Sequence, residues 1–225
     1  MNKTKRIILY FISALIIVIG VGVFFQWDNI KAIYIFKTRS DDEIEEMLYK
    51  STEIRKEAVV GIPVRELTEE EQKEIKCGDL SSEEALKRII STASDSSNYE
   101  DNSKGQVTSV RDYDAELADL IGQIYVLEAT FSGAVDNLVS SAVAEYKALP
   151  PEQHTDANKL NVGLKYLGTA TSLEASCDQQ MATILSKIEG ILIESGGDLA
   201  LVSKIKSAYQ SEKITKKNYY MSLYS

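Results

Sequence analysis

The side chains of this chain that could do chemistry are few, and each lacks the companions its chemistry requires. His154 could ligate a metal or carry a proton, but a zinc site needs three or four His, Cys or carboxylate ligands at set spacings. There is no second histidine and no closely spaced cysteine pair, and His154 follows Pro150 and Pro151 in a turn. Ser203 and Lys206 repeat the S-x-x-K spacing of penicillin-recognising enzymes, in which the serine is the nucleophile. Neither S-D-N nor K-T-G accompanies them, and the surrounding segment is rich in lysine and serine, so the spacing arises by chance.

Two acidic clusters, Glu43, Glu45, Glu46 and Glu69, Glu70, Glu71, offer carboxylates for metal binding or acid–base work. Their place in first helical turns has a simpler cause, since negative charge is stabilised at a helix N-terminus. No glycine-rich phosphate loop and no G-x-S-x-G occurs. The expectation is a non-enzymatic protein with no cofactor and no metal.

Cys77 and Cys177 are the two cysteines. In an oxidising compartment a bridge between them would close a loop of about 100 residues, contributing up to ~4.7 kcal/mol on the chain-entropy model. The alternative is two separate thiols, with Cys177 buried as a small apolar side chain. The bridge is narrowly the expectation. A partner-binding tail is the other candidate: Lys213, Lys216, Lys217, Tyr219, Tyr220 and Tyr224 form a basic, aromatic stretch, and tyrosine supplies contact area at low entropy cost. A frayed or back-packed end is its alternative.

The elements that must carry these groups begin with a span of the lipid bilayer. Ile7 to Phe25 is uncharged and almost wholly apolar. About 20 such residues cross a hydrocarbon core roughly 30 Å thick, whereas a secretory signal is shorter and ends in small residues at a cleavage site. Trp27 follows where an indole suits the interface, and Lys3, Lys5 and Arg6 precede the span, which holds the N-terminus in the cytoplasm and the body outside. Lys31, Lys37 and Arg39 weaken that charge asymmetry without reversing it. No GxxxG lies in the span, so a dimer through the membrane is not signalled.

Composition sets the class of the body. With 34 acidic and 25 basic residues the chain carries a net charge of −9, which repels polynucleotides and makes nucleic acid an unsuitable partner. Three prolines and twelve glycines fall below average usage of about 5% and 7%, a bias toward long helices. The expected fold is all-α, a transmembrane helix followed by an extracytoplasmic helical bundle.

Along the chain the reading is a cytoplasmic stub at 1–6, the span at 7–25 and a juxtamembrane segment at 26–39. Short amphipathic helices occupy 40–93, opened by the capping boxes Ser40/Glu43, Thr68/Glu71 and Ser81/Glu84. A flexible loop at 94–106 holds no aliphatic residue after Ala93 until Val107. Then comes a long antiparallel helical hairpin at 107–194, a C-terminal helix at 198–217 and an aromatic tail at 218–225.

The hairpin rests on coiled-coil periodicity. Val110, Leu117, Ile124, Phe131 and Leu138 recur every seven residues, as do Leu160, Leu167, Met181 and Ile188, with Leu149-Pro150-Pro151 between the two runs. A turn centred near residue 152 pairs Leu117 with Ile188, Leu120 with Ile184, Leu127 with Cys177, Ala134 with Ala170 and Leu138 with Leu167. Glu174 interrupts the seam opposite Phe131, as a register device or a side chain reaching out to the edge. Gly122, Gly133, Ala134, Gly163, Gly168 and Ala170 either leave a gap for a ligand or allow close helix packing. The functional expectation is a membrane-anchored, non-enzymatic helical scaffold with a protein partner. The alternative is an extracytoplasmic ligand-sensing or solute-binding module, which would need a cavity of a few hundred Å³ with convergent polar groups.

Overall fold

A computed structural model describes residues 40–94 and 111–222, and all regular structure among them is helical. The expected span, the juxtamembrane segment, residues 95–110 and Tyr224 lie outside the described residues. Among those described, no helix is long and apolar enough to cross a membrane. The α-helices are α1 (Asp41–Ala58), α2 (Glu69–Cys77), α3 (Ser82–Ser94), α4 (Tyr113–Lys147), α5 (Asp156–Ser195) and α6 (Ala200–Ser222), with a 3₁₀ turn at Pro151–Gln153. The chain divides into two units, one holding residues up to Ala58 and from Ser203, the other Val59–Val202.

The short helices start where side chains answer the orphan backbone donors of a first turn. At α2 the Thr68 hydroxyl accepts from the Glu71 N–H at 3.2 Å, and the Glu71 carboxylate accepts from the Thr68 N–H at 2.9 Å. Ser40 with Glu43 and Ser81 with Glu84 make the same reciprocal pairs. Gly78 and Gly196 end α2 and α5 at φ 81° and 72°, a left-handed conformation that favours glycine.

Glu71 does more than cap. Arg65 donates both guanidinium arms to its carboxylate, Nη1 at 2.7 Å and Nη2 at 2.8 Å, in a site where Glu71 is buried. These bonds, aided by the Thr68 N–H, bring its pKa from 4.5 down to about 2. A carboxylate with a depressed folded-state pKa contributes stability above its unfolded value, and that contribution is lost as pH falls from about 4.5 toward 2. Because Arg65 is a third exposed, we expect about 2 kcal/mol rather than the full linkage value. Urea unfolding of Glu71→Gln should show that loss at pH 7 and a flatter stability profile between pH 5 and 2. An unchanged acid limb would remove Glu71 as its source.

In the second unit α4 and α5 pack along each other, and α2 and α3 lie against α4. Leu117, Ile121 and Ile124 of α4, Met181, Ile184 and Ile188 of α5, and Ala85 and Ile89 of α3 are all buried. Two glycines admit the short helices. A Cβ on Gly133 would stand 2.8 Å from the Lys76 Cα, and one on Gly122 would meet the Leu86 side chain at 2.6 Å and that of Ile89 at 3.2 Å. Gly163 and Gly168 differ, because nothing lies within 4 Å of a Cβ built on either.

Burial stops partway up the hairpin. No residue from Ala134 to Ser176 is buried, so α4 and α5 leave the core as a two-helix arm extending about 20 Å past Gly133. The arm corrects the expected seam. Leu138 is half-buried, but Leu160 and Leu167 are 62% and 56% exposed, so Leu167 does not fill the interface as its pairing with Leu138 required. The half-buried positions are instead Val162, Tyr166, Ala170 and Leu173, leading to buried Cys177. A straight helix drifts about 20° per heptad from a strict 3.5-residue repeat. Three heptads from Ile188, Leu167 has turned roughly 60° out of the seam. Phe131 and Glu174 are both half-buried, and Glu174 is engaged in an interaction.

In the first unit, α1 and α6 contribute a buried polar group: Ser51, Arg55, Glu212, Thr215 and Asn218. The Arg55 Nη1 donates to Glu212 Oε2 at 3.2 Å, joining positions far apart in sequence. Thr215 Oγ1 and Asn218 Nδ2 donate to the carbonyls of Ser211 and Ile214, one helical turn back.

Candidate functional site

The sequence candidates are scattered. Cys77 is exposed at the end of α2 while Cys177 is buried in α5; both are free thiols, so the expected bridge is not made in this structure. Cys177 is among the buried residues of α5, whereas Cys77 is the last residue of α2. His154 is exposed and stacks on Tyr146 at 5.1 Å between ring centroids, which pins the hairpin turn. Among the described residues no group of three His, Cys, Asp or Glu is arranged to hold a metal.

The basic tail is helical for most of its length. α6 runs to Ser222, past the expected end at 217, because no glycine or proline interrupts it. Lys213, Lys216 and Lys217 are half-buried and engaged, the Lys213 Nζ lying 5.8 Å from the Tyr209 ring centroid. The backbones of Tyr219 and Tyr220 belong to α6; their side chains, like Tyr224, are outside the described residues.

Two features were not read from the sequence. The first is an open cleft of about 560 Å³ between α4 and α5 near the base of the hairpin, floored by Leu120, Gly190 and Ile191. Its rim carries Arg111, Glu116, Asp119, Lys187 and Glu194. Arg111 donates to Glu116 through Nε at 2.7 Å and Nη2 at 2.8 Å, and a further arm reaches Glu194. Those carboxylates raise the Arg111 pKa, with Glu116 the main cause. Gln123 donates to Asp119 at 2.6 Å. The bond from Arg111 to Glu194 ties the residues that open α4 to α5 across the cleft, which Lys187 also lines.

The second feature is the outer face of α5 in the arm. Leu160, Leu164 and Leu167 recur at i, i+4 and i+7, each more than half exposed, on one side of the helix. The opposite side is tied to α4: the Glu145 carboxylate accepts from Lys165 Nζ at 2.6 Å and from the Tyr166 hydroxyl at 2.9 Å. Those donors, Lys165 first, lower the Glu145 pKa and keep it ionised. The bonds fix the rotation of α5, and with it the outward aim of the leucines. Three exposed leucines on a rigid helix match the anchors of helix-in-groove recognition. A signal for them was present, since Leu164 falls outside the seven-residue register that Leu160 and Leu167 share. No family model, curated protein or solved structure matches this chain.

Proposed function

We propose that this protein is a membrane-anchored helical scaffold, held in the bilayer by residues 7–25 with its body outside the cytoplasm, and that it joins a membrane-associated assembly through the α4–α5 arm. The observation that carries this reading is the leucine face of α5, an apolar surface presented on an arm that contributes no buried residue to the core. Isolated exposed leucines are ordinary on soluble proteins, but a contiguous helical stripe of them marks an interaction site. The apolar, uncharged run from Ile7 to Phe25 supports the anchor.

Two measurements test it. Protease added to intact cells should digest the body; survival of the full-length chain, under conditions that remove other surface proteins, would reverse the orientation. Native electrophoresis of mildly solubilised membranes should place the chain in a complex that Leu164→Lys/Leu167→Lys dissolves. A complex indifferent to those lysines would refute the arm as its docking element.

The ligand-sensing alternative is favoured by one observation, the cleft at Gly190. It requires that a bound solute raise the unfolding midpoint and that Gly190→Leu, which fills the cleft, abolish the rise. No such shift across common amino acids, sugars and polyamines would dismiss it.

A further inference from the structure

We propose that the leucine face of α5 closes on the same face of a second copy of this chain, with the two α5 helices antiparallel about a two-fold axis between Lys165 and Tyr166. This rests on the reading of the arm as a docking element and names its occupant.

Three observations select a second copy. Six residues on the outward face of α5 are spaced symmetrically: Leu160, Gly163, Leu164, then Leu167, Gly168, Thr171. Reversing the helix about the 165/166 midpoint places Leu164 on Leu167, Gly163 on Gly168 and Leu160 on Thr171, each contact made twice. An isologous interface demands that self-complementarity, and a contact with an unrelated partner does not. Charge agrees. From Ala157 to Leu173 there is no acidic residue, in a chain that holds 34 of them and a net charge of −9. Two copies repel each other over most of their surface and least here, where Lys165 is already matched by Glu145. Space agrees as well. Gly163 and Gly168, with nothing within 4 Å of either Cβ position, leave shallow gaps beside the leucines that allow two backbones to approach closely. The Thr171 hydroxyl is satisfied within its own helix by the Leu167 carbonyl at 2.9 Å, so covering it strands no polar atom.

The test uses the full chain purified alone in detergent, its protein mass measured by light scattering. The wild type should have the mass of two 25.0 kDa chains. Leu164→Lys/Leu167→Lys places four ammonium groups around the axis and should weaken association roughly a hundredfold or more, with helix content unchanged because both positions are exposed. Orientation is read by cross-linking in a Cys77→Ser background. A Leu164→Cys chain mixed with a differently tagged Leu167→Cys chain should oxidise to a covalent heterodimer, faster than either variant forms a dimer with itself. A wild type of single-chain mass at the highest monodisperse concentration would overturn the proposal, as would a dimer that survives the lysines. Faster bonding of Leu164→Cys to itself would show a parallel pair and overturn the two-fold. If the purified chain is monomeric while the lysine pair still dissolves the native complex, the self-association fails and the docking role stands.

Discussion

Ile188→Ala should cost about 3–4 kcal/mol, whereas Leu167→Ala, in chain diluted below any self-association, should change stability by no more than about 0.5 kcal/mol. The two residues occupy the same heptad position, three repeats apart. Ile188 is fully buried in α5, which packs along α4; Leu167 is 56% exposed on the arm. Removing three carbons from a closed interior loses their transfer free energy and leaves a cavity whose walls relax only in part. Removing them from an exposed position leaves neither. In urea, with a slope near 2 kcal/mol/M, the first substitution should lower the midpoint by roughly 1.5–2 M and the second by almost nothing. Comparable shifts for the pair would mean that the seam keeps its 3.5-residue period to the tip and that the arm is a true coiled coil.

That contrast shows where sequence reading succeeds and where it stops. Capping boxes are local, four residues long and chemically specific, so Thr68/Glu71 and Ser81/Glu84 identify helix starts without any knowledge of the fold. Gly78 and Gly196 end their helices for an equally local reason. Long helices on either side of Pro150-Pro151 follow from periodicity and from proline's missing donor. What periodicity does not supply is the rotation of each helix about its axis over many turns. A seven-residue reading and the 3.6-residue helix agree near Ile188 and part company toward Leu160, and the bonds from Lys165 and Tyr166 to Glu145 decide between them. The exposed leucine face is hidden for that reason: the seven-residue register places Leu160 and Leu167 inside and leaves Leu164 out.

The cleft and the buried pair were illegible for a different cause. Arg111 meets Glu194, and Arg55 meets Glu212, across long sequence separations. Charged residues are common enough in this chain that no spacing marks these particular partners. Likewise Gly133 reads as a weak point in a helix until Lys76 is seen against it. A contact between distant elements becomes visible only when the fold brings them together.

The second large effect is expected at Arg55. Its side chain is 11% exposed and that of Glu212 7%, so both charges have left water and each depends on the other's field. Arg55→Met should cost about 3–5 kcal/mol, because it takes a charged partner away from the buried Glu212 carboxylate. The pair as a whole is a poor source of net stability. Desolvating two ions offsets most of their attraction, so Arg55→Met/Glu212→Leu should recover most of the loss and can match the parent. A chain that recovers in the double variant therefore keeps the ion pair for specificity. Apolar side chains at 55 and 212 would let α1 and α6 slide or rotate against their neighbours, while a guanidinium that must meet one carboxylate fixes a single register. The distinguishing measurement is the sharpness of the fold: the double variant should keep its unfolding midpoint but show broader amide resonances and faster hydrogen exchange in α1 and α6. A single substitution costing less than about 1 kcal/mol would instead place Arg55 and Glu212 among exposed ion pairs, whose contribution water and salt reduce to that level.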